Sequence, residues 1–442
     1  MTRLVVVFTA FLSLVVLGAP ALAAASEPQL LTLEEARERA REENSRVRQS
    51  GLEILRLEMA SREARMSRLP TVAAEGRYTN NLALPAIVFP PDSPFGEVVL
   101  RTGSRHNLAA GLQVSVPVFN AQLNRSIELS VAMVELERSL QGATVREVEI
   151  EVERAFLNGL LTREALTVLE ESYEALQSNR RMVEALYAEG MVPEYDLIRT
   201  EVQVRNLEPE IARARNGHQG AVNYVKLLSG IAVETPLVLE GDLEALYQER
   251  AGRGARGDVG GNRDLRQLRG QRALMDRRVA LERASRWPSL AAFGNINYSG
   301  QGDGLAFWDY QWTDTVAAGL LLSIPLFTPG HRQRLDQIQV EALQLEEQLA
   351  FVEESLRSQV ITTENRLQEL QEVIGAQERN IAQAERGFAI ARQSYEEGVY
   401  SLMDVTDAES ALRDARLNYS SALAEYVQAL LDLEDLLGEV EP

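Results

Sequence analysis

The sequence contains no cysteine and only three histidines among its 442 residues. Without cysteine there is no disulfide framework, no thiolate nucleophile and no zinc site built on thiolates. The histidines, His106, His218 and His331, are too far apart in the sequence to form a metal-binding pattern. No motif places a nucleophile beside a base or pairs two acids, so we expect no enzyme, no cofactor and no metal site.

Basic residues are also in the minority. The chain has 45 Lys and Arg against 65 Asp and Glu, a formal net charge of −20. This acidic excess argues against a nucleic-acid partner, because such a partner needs cations to neutralise its phosphates. After residue 24 there is no apolar run of 18 or more residues, so no transmembrane helix is predicted there. Aromatic residues are 6% of the chain, whereas abundant Ala, Leu, Glu and Arg are typical of long helices.

The first 23 residues have the layout of a secretory signal peptide. Arg3 supplies a positive charge, residues 4–17 are uncharged and mostly apolar, and Pro20 precedes the small-x-small site Ala21-Leu22-Ala23. The alternative is an N-terminal membrane anchor, which is disfavoured because a spanning helix needs about 20 residues. We therefore expect an exported protein that is either soluble or inserted as a β-barrel.

The rest of the chain is an internal repeat. Leu108–Phe119 and Val316–Phe327 match almost position by position, 316 − 108 = 208 residues apart. The same offset carries the Tyr-x-x-Gly motif Tyr187–Gly190 onto Tyr395–Gly398. Such agreement over a long distance indicates duplication. The predicted organisation is a signal peptide, a first repeat, a linker or equatorial segment, and a second repeat: residues 1–23, 24–230, 231–261 and 262–442.

Each repeat is predicted to contain a helix, two strands, a very long helix, a turn and a return helix. The first helix should begin after Thr32, which forms a capping box with Glu35, and continue to about Arg68. Residues 118–192 contain no proline and predict a helix over Asn120–Glu189, roughly 105 Å at 1.5 Å per residue. A helix of that length requires a coiled coil or a helical tube. In the first return helix, Pro209 predicts a kink or a register shift.

The predicted strands alternate between apolar and polar residues. They cover about 71–80, 105–117, 288–300 and 315–325. About ten residues per strand are enough to cross a membrane at a tilt, with the apolar face toward lipid and the polar face toward water. A soluble β-hairpin covering a core is the alternative that the pattern alone leaves open. The first connection is longer than the second, since 47 residues separate Pro70 from Pro117 but 37 separate Pro288 from Pro325. The Pro-rich stretch Pro85–Pro94 accounts for the difference.

Aromatic residues favour the membrane interpretation. Trp287, Trp308, Trp312 and Tyr310 all fall at the ends of the second pair of strands. Such clustering is typical of the aromatic girdle at a membrane interface.

The helix tips carry the candidate functional residues. Each long helix ends at a glycine, Gly190 or Gly398, and an aspartate follows six residues later, Asp196 or Asp404. Asp404 and Asp407 are three apart, so they share a helix face. An alternative interpretation is two solvated aspartates in the first turn of a helix, where they interact favourably with the helix dipole.

Together these features resemble the TolC family of outer-membrane efflux ducts. The resemblance covers about residues 28–438 and rests on the Leu31–Ala36 opening, the Pro-x-Phe junctions, the two tips and the duplication. It implies a mainly α-helical protein with a transmembrane β part. Three protomers would form one 12-stranded barrel continued by a periplasmic α-helical tunnel. The partners implied are two further copies, a periplasmic adaptor, an inner-membrane pump contacted indirectly, and the lipid of a Gram-negative outer membrane.

The resemblance also assigns roles to tip residues. The aperture at the periplasmic entrance would be lined by Asp404 and Asp407, whose crowding in a trimer should raise some of their pKa values. Asp196, Tyr395 and Tyr400 are the other aperture residues. Tyr400 stands where family members often have a basic residue, so the closed-state lock is expected to be weaker or differently built. The residues expected to meet the adaptor are Glu189, Gly190, Met191, Val192, Glu397, Gly398 and Val399.

The implied function is a passive exit duct for an efflux pump or a type I secretion system. The leading alternative is an exported, adaptor-like coiled-coil binding protein, which would have one helical hairpin and a lipoyl-like β-domain instead of two hairpins and four amphipathic strands. A glycine pattern, Gly252-x-Gly254-x-x-Gly257, resembles a dinucleotide-binding loop, but the preceding segment is predicted to be helical rather than a strand.

Overall fold

The computed structural model describes residues 29–438, with gaps at 90–91, 93, 95, 97 and 254–256. The predicted signal peptide lies outside the described residues. In chain order the elements are β1 (Gln29–Leu31), α1 (Leu33–Glu43), α2 (Ser45–Met66), β2 (Thr71–Asn80), β3 (Ala86–Phe89), β4 (Val98–Arg101), β5 (His106–Asn120), α3 (Ala121–Ala188), α4 (Glu194–Leu228), β6 (Leu237–Leu239), α5 (Leu243–Arg253), α6 (Arg263–Ala284), β7 (Ser289–Gly302), β8 (Gln311–Ser323), α7 (His331–Glu396) and α8 (Leu402–Leu437).

Two very long helices dominate the molecule. The first, α3, has 68 residues and packs along α4, and the second, α7, has 66 residues and packs along α8. At 1.5 Å per residue each long helix extends roughly 100 Å. Among the described residues, no helix is both long enough and apolar enough to cross a membrane. The mainly helical fold with a smaller β part is therefore confirmed.

The four predicted strands form one antiparallel sheet in the order β2-β5-β7-β8. Helices α2, α3, α6 and α7 connect to one end of this sheet. The opposite end, which we call the outer end, contains Asn80, His106, Gly302 and Gln311. The register keeps apolar residues together on one face, and Val72, Leu112, Ile296, Val316 and Leu320 are exposed there.

The other face of the sheet is polar. It carries a hollow of about 240 Å³, whose lining includes Glu75, Arg77, Gln113, Asn295 and Asn297. A sheet with one apolar and one polar face must meet two different environments.

The Pro-rich connection between β2 and β5 contains a second, smaller sheet. Strands β3 and β4 pair antiparallel with each other. The N–H of Asn81 donates to Arg105 O at 2.7 Å and the N–H of Thr102 donates to Pro85 O at 3.0 Å. These bonds continue the β2–β5 pair into the small sheet, which we call the outer ribbon (residues 81–105, as far as they are described).

The first helix differs from the prediction of one helix from Thr32 to about Arg68. The capping box of Thr32 and Glu35 is present, but the helix ends at Glu43 and a new one begins at Ser45. The break is at Asn44, whose backbone is extended, with ψ of 132°. Its side-chain oxygen accepts from Arg46 N at 2.8 Å, and its side-chain amide donates to Leu228 O at 2.9 Å.

The same joint occurs in the second repeat. Asn262 caps α6 by accepting from Asp264 N at 2.9 Å, and its side-chain amide donates to Leu436 O at 3.2 Å. Each asparagine therefore fastens the start of a helix to the last turn of the return helix in its own half. The glycines that follow those return helices, Gly230 and Gly438, have φ of 68° and 67°. They approach Glu43 and Gly261 too closely to accept a Cβ.

Part of the linker, residues 231–261, belongs to the hydrophobic core. Strand β6 pairs in parallel with β1, and Leu243 and Leu246 of α5 are buried. We call the surrounding cluster, which includes Phe156, Leu160, Leu239 and Leu431, the equatorial core.

A buried ion network crosses the equatorial core. Glu153 of α3 is 1% exposed and pairs with Arg37 of α1 and Arg250 of α5. Arg250 also lies 3.2 Å from Glu434 of α8. Removal of one partner would leave a buried charge without compensation, which is strongly destabilising. Helix α5, which lies in the linker between the repeats, therefore connects α3 of the first repeat to α8 of the second.

The first return helix is continuous through Pro209, from Glu194 to Leu228. A helix can bend at a proline without ending there, so the kink or register shift at Pro209 stays a prediction. Proline removes one backbone donor, but packing along α3 can hold a helix across such a gap.

The Asn44→Ala substitution should lower the stability of the periplasmic helices. It removes a helix cap, which contributes about 1 kcal/mol, and it leaves Leu228 O buried without its donor, which costs about 1–3 kcal/mol. Thermal unfolding followed by circular dichroism would measure the change. Asn380→Ala, an exposed site whose amide contacts only Gln377, is the matched control. Equal melting of both variants would contradict the role of the joint.

Candidate functional site

The two helix tips have the same backbone geometry. At the first tip, Met191 N donates to Leu186 O at 2.9 Å and Gly190 N donates to Tyr187 O at 2.9 Å. At the second tip, the N–H groups of Val399 and Gly398 make the corresponding bonds at 2.8 and 3.0 Å. Both glycines have φ of 73°. This is the Schellman motif, which needs a left-handed residue and therefore favours glycine.

The residues predicted to meet an adaptor lie at these tips. Met191 and Val399 are 64% and 71% exposed, and Glu189, Gly190, Glu397 and Gly398 are also exposed. Val192 is half-buried because it packs against the small cluster beneath the tips. We call this cluster, formed by Val183, Ala391, Tyr395, Leu402 and Val405, the tip core. It joins helices from both repeats.

Within the tip core, the structure brings together two of the predicted aperture residues. Tyr395 lies in the last turn of α7 and is buried. Its hydroxyl makes no hydrogen bond within the described residues, but the Asp196 carboxylate of α4 is near enough to influence its ionisation. Burial, and to a smaller extent Asp196, raise the pKa of Tyr395 to about 12. Tyr187, the equivalent residue of the first repeat, is exposed. The equivalent tyrosines of the two repeats therefore occupy different environments in one subunit.

Asp404 has a structural partner that the sequence analysis did not identify. Its carboxylate accepts from the hydroxyl of Ser401 at 2.7 Å and from the Ser401 N–H at 2.8 Å. These bonds lower the pKa of Asp404 from its ordinary value. Within one subunit this is the opposite of the shift expected from crowding. The Ser-x-x-Asp pattern at the start of α8 is a capping-box signal that could have been read from the sequence.

Asp407 is the freer of the two aspartates. It lies one turn after Asp404 on the same face of α8 and is exposed. In the described part of the chain it makes no ion pair and no side-chain hydrogen bond. Tyr400 is also exposed, and its N–H donates to Ser394 O at 3.2 Å. The structure therefore presents one capped and one uncapped carboxylate at this end of α8.

Above the tip core lies a polar layer that the sequence analysis missed. Glu409 of α8 is buried and accepts from the Ser172 hydroxyl of α3. Burial raises the pKa of Glu409. One turn earlier, Thr406 accepts from the side-chain amide of Gln203 in α4 at 3.1 Å. The signal available in the sequence is that Glu409 follows Val405 at the four-residue spacing of a buried stripe.

The aromatic residues form two levels on the sheet. Near the outer end, the rings of Tyr298 and Trp312 stack with centroids 4.8 Å apart, and Tyr310 lies 6.4 Å from Trp312. Tyr78 and His106, which the sequence analysis did not single out, extend this group with a 2.8 Å hydrogen bond. These five residues form what we call the aromatic belt.

Trp287 lies at the helical end of the sheet and is exposed. It is 298 − 287 = 11 residues from Tyr298, which is roughly 36 Å along a strand. At the usual tilt of 35–45°, this spacing fits an apolar band of about 25 Å. Trp308 lies beyond the aromatic belt, in a short 3₁₀ helix between β7 and β8.

No group of three or more His, Asp and Glu side chains in the described ranges is arranged to hold a metal ion. At the tips, carboxylates can attract cations, and the apolar tip core can hold the helices together.

The ionisation of Tyr395 should be detectable in solution. The hydroxyl has a reference pKa of 10.0 and a pKa of about 12 in the folded protein. The neutral form is favoured by folding, so the tip core should lose stability as the pH rises from about 10 to 12. The absorbance at 295 nm of the wild type minus that of Tyr395→Phe should titrate near pH 12. A midpoint near 10 would contradict the buried environment, and Tyr187→Phe controls for the loss of one tyrosine.

Comparison with known proteins identifies the family. The family model described as "Outer membrane efflux protein" matches residues 36–230 and 260–439. The cobalt-zinc-cadmium resistance protein CzcC of Cupriavidus metallidurans is 25% identical over 336 residues, which are 72% of this chain and 76% of that protein. The outer membrane protein TolC of Vibrio cholerae is 24% identical over 162 residues, which are 36% of this chain and 37% of that protein.

Solved structures share the fold. The crystal structure of CusC has a TM-score of 0.71 at 18% identity and covers 92% of both chains. The CmeC outer membrane channel of Campylobacter jejuni has a TM-score of 0.70 at 14% identity, covering 92% of this chain and 85% of that one. The resemblance to the TolC family is thus confirmed, and so is the location in the outer membrane with the helices in the periplasm. The chain belongs to the outer membrane efflux protein family, whose members are the outer-membrane channels of tripartite efflux pumps.

Proposed function

We propose that three copies of this chain close a single 12-stranded barrel and continue it as one helical tunnel. The observation that carries this proposal is that β2 and β8 are both edge strands of a four-stranded sheet. In lipid, the unpaired backbone groups of such edges have no water to bond, so open edges are not tolerated. Pairing β2 of one copy with β8 of the next satisfies both edges. Three copies give 12 strands, an even number that leaves a lumen.

In this assembly the two repeats, residues 24–230 and 262–442, alternate around the ring. The exposed apolar face of the sheet would meet lipid, with Trp287 and the aromatic belt at the two interfaces. The polar face would line the water column. The hollow lined by Glu75, Arg77 and Gln113 lies on that face, which supports passage of water and polar solutes.

The periplasmic entrance would be closed by the helix tips. The tip core contains Val183 of the first repeat and Tyr395 of the second, so it can hold the two hairpins of a subunit together. Tyr400 stands two residues after the second tip glycine, where family members often have a basic residue. The lock of this chain would therefore depend on the apolar packing of the tip core rather than on a cation. Opening would require the hairpins to separate there.

Asp404 and Asp407 would form two stacked rings of three carboxylates at the entrance. Such rings favour cations in a pore. Because Ser401 already donates twice to Asp404, the ring of Asp407 would present the less compensated charge. Crowding in the assembled rings would act against the effect of Ser401 on the pKa of Asp404.

The exposed tips would dock a periplasmic adaptor, which connects the duct to an inner-membrane pump. Met191 and Val399 project beside glycine turns, and each has a glutamate two residues earlier, Glu189 and Glu397. Paired apolar and acidic positions suit a partner with complementary apolar and basic residues. The duct itself would conduct its cargo passively, for efflux or for type I secretion.

The Asp407→Asn substitution should reduce the cation preference of the channel more than Asp404→Asn does. The reason is that no described residue of its subunit donates to Asp407, whereas Asp404 accepts two hydrogen bonds from Ser401. Reversal potentials in planar bilayers under a salt gradient would give the permeability ratio, and block by divalent cations would provide a second reading. We expect the ratio of cation to anion permeability to fall several-fold.

Glu347→Gln is the matched control, because it removes one exposed acid of α7 far from the tips. It should leave the permeability ratio unchanged. Unaltered selectivity in the double variant of Asp404 and Asp407 would contradict their placement on the conduction path.

A further inference from the structure

The outer ribbon exposes apolar side chains beyond the outer end of the sheet, away from the helices. Leu82 is 92% exposed, and Val88 of β3 and Val99 of β4 are 64% and 58% exposed. Val88 and Val99 are directly opposite each other in the ribbon. The ribbon lies beyond the aromatic belt, so lipid tails do not cover these residues if the belt marks the membrane interface. Another apolar surface must cover them, or they remain in water.

A second apolar surface lies at the same end of the sheet. The connection between β7 and β8, residues 303–310, which we call the outer loop, contains Leu305, Phe307 and Trp308. Leu305 and Trp308 are 81% and 71% exposed. Tyr310 anchors the loop by donating its hydroxyl hydrogen to Gly304 O at 2.9 Å. The apolar side chains of the outer loop are therefore held outward by a defined local structure.

The ribbon and the loop of the same subunit do not cover each other. They touch at their bases, where Arg105 N donates to Asp303 at 2.9 Å. Their apolar side chains nevertheless remain exposed. As far as the ribbon and the loop are described, each surface thus keeps exposed apolar side chains within its own subunit.

We propose that the outer loop of one subunit packs against the β3 side of the outer ribbon of the next subunit. This inference rests on the proposed trimer. When β2 of one copy pairs antiparallel with β8 of another, the outer end of β2, at Asn80, comes beside the outer end of β8, at Gln311. The ribbon continues directly from β2 and the loop leads directly into β8. The partner of each apolar surface is therefore a second copy of this chain.

The duplication strengthens the argument. Only the first repeat has the longer connection, so each subunit contributes one ribbon and one short loop. Ribbons and loops would alternate around the outer mouth, and each subunit boundary would bring together one of each. Burial of such side chains is favourable because it removes apolar area from water. The contact would seal the boundaries at the exterior end of the duct.

Cross-linking can test the contact, because the chain has no cysteine of its own. The double variant Val88→Cys with Leu305→Cys would be treated in outer-membrane vesicles with a short bismaleimide, and denaturing gels would separate the products. We expect covalent dimers and trimers. Each single-cysteine variant controls for random collision. The pair Val99→Cys with Leu305→Cys is the matched control for the β4 side of the ribbon and should give much less covalent trimer.

The possible outcomes separate this inference from the proposed trimer. Cross-linking only within one subunit, or none at all while light scattering shows a trimer in detergent, would overturn the ribbon–loop contact and leave the trimer standing. The second result would also be the one expected if lipopolysaccharide covered the ribbon. A monomer by light scattering would overturn the proposed trimer and the contact with it.

A stability measurement gives a second test without cysteines. Val88→Asp should lower the temperature at which the trimer dissociates in detergent gels, because it places a charge in the apolar contact. Val99→Asp, its cross-strand neighbour, should lower that temperature by less. Equal effects of the two variants would overturn the assignment of the contact to the β3 side.

Discussion

The structure depends on one constraint, which is that backbone N–H and C=O groups must be hydrogen-bonded wherever lipid excludes water. One chain supplies a four-stranded sheet with an exposed apolar face and two unpaired edges, β2 and β8. Such a sheet is incomplete as a membrane structure. The same sheet adjoins α2, α3, α6 and α7 at one end, so any symmetry that completed a barrel would be imposed on the helices as well.

The equatorial core holds helices of both repeats together near the middle of α3. The joints at Asn44 and Asn262 fasten helix starts to the ends of the return helices. The ion network around Glu153 connects α1, α3 and α5, and Arg250 extends it to α8. The tip core contains far fewer buried residues than the equatorial core. A polar layer at Glu409 lies next to it. Local opening is favoured where few apolar groups are buried, so movement would be concentrated at the tips.

Much of the architecture could be predicted from the sequence because it is periodic. Alternation over about ten residues identified the strands, and the absence of proline over long stretches identified α3 and α7. The duplication at an offset of 208 then related the two halves. The Tyr-x-x-Gly motifs identified both tips, since only a left-handed residue completes that turn. The two-hairpin layout also separates this chain from an adaptor-like protein with one hairpin.

The remaining features depend on contacts between residues that are distant in the sequence. Asn44 interrupts the first helix because its amide reaches Leu228, 228 − 44 = 184 positions away. Helix α5 of the linker is held in the core by the ion pairs of Arg250 with Glu153 of α3 and Glu434 of α8. The burial of Tyr395 depends on packing between helices of both repeats in the tip core. The cap of Asp404 by Ser401 is different, because that signal was local and present in the sequence.

Counting the subunits around one pore would decide whether the edges of the sheet are completed by neighbouring copies. Single-particle imaging of the protein extracted from outer membranes into lipid nanodiscs would show the count and the strand pairing at each boundary. We expect three copies around one lumen, with β2 of each copy paired to β8 of its neighbour. A single copy in lipid, with β2 and β8 unpaired and no central lumen, would contradict it.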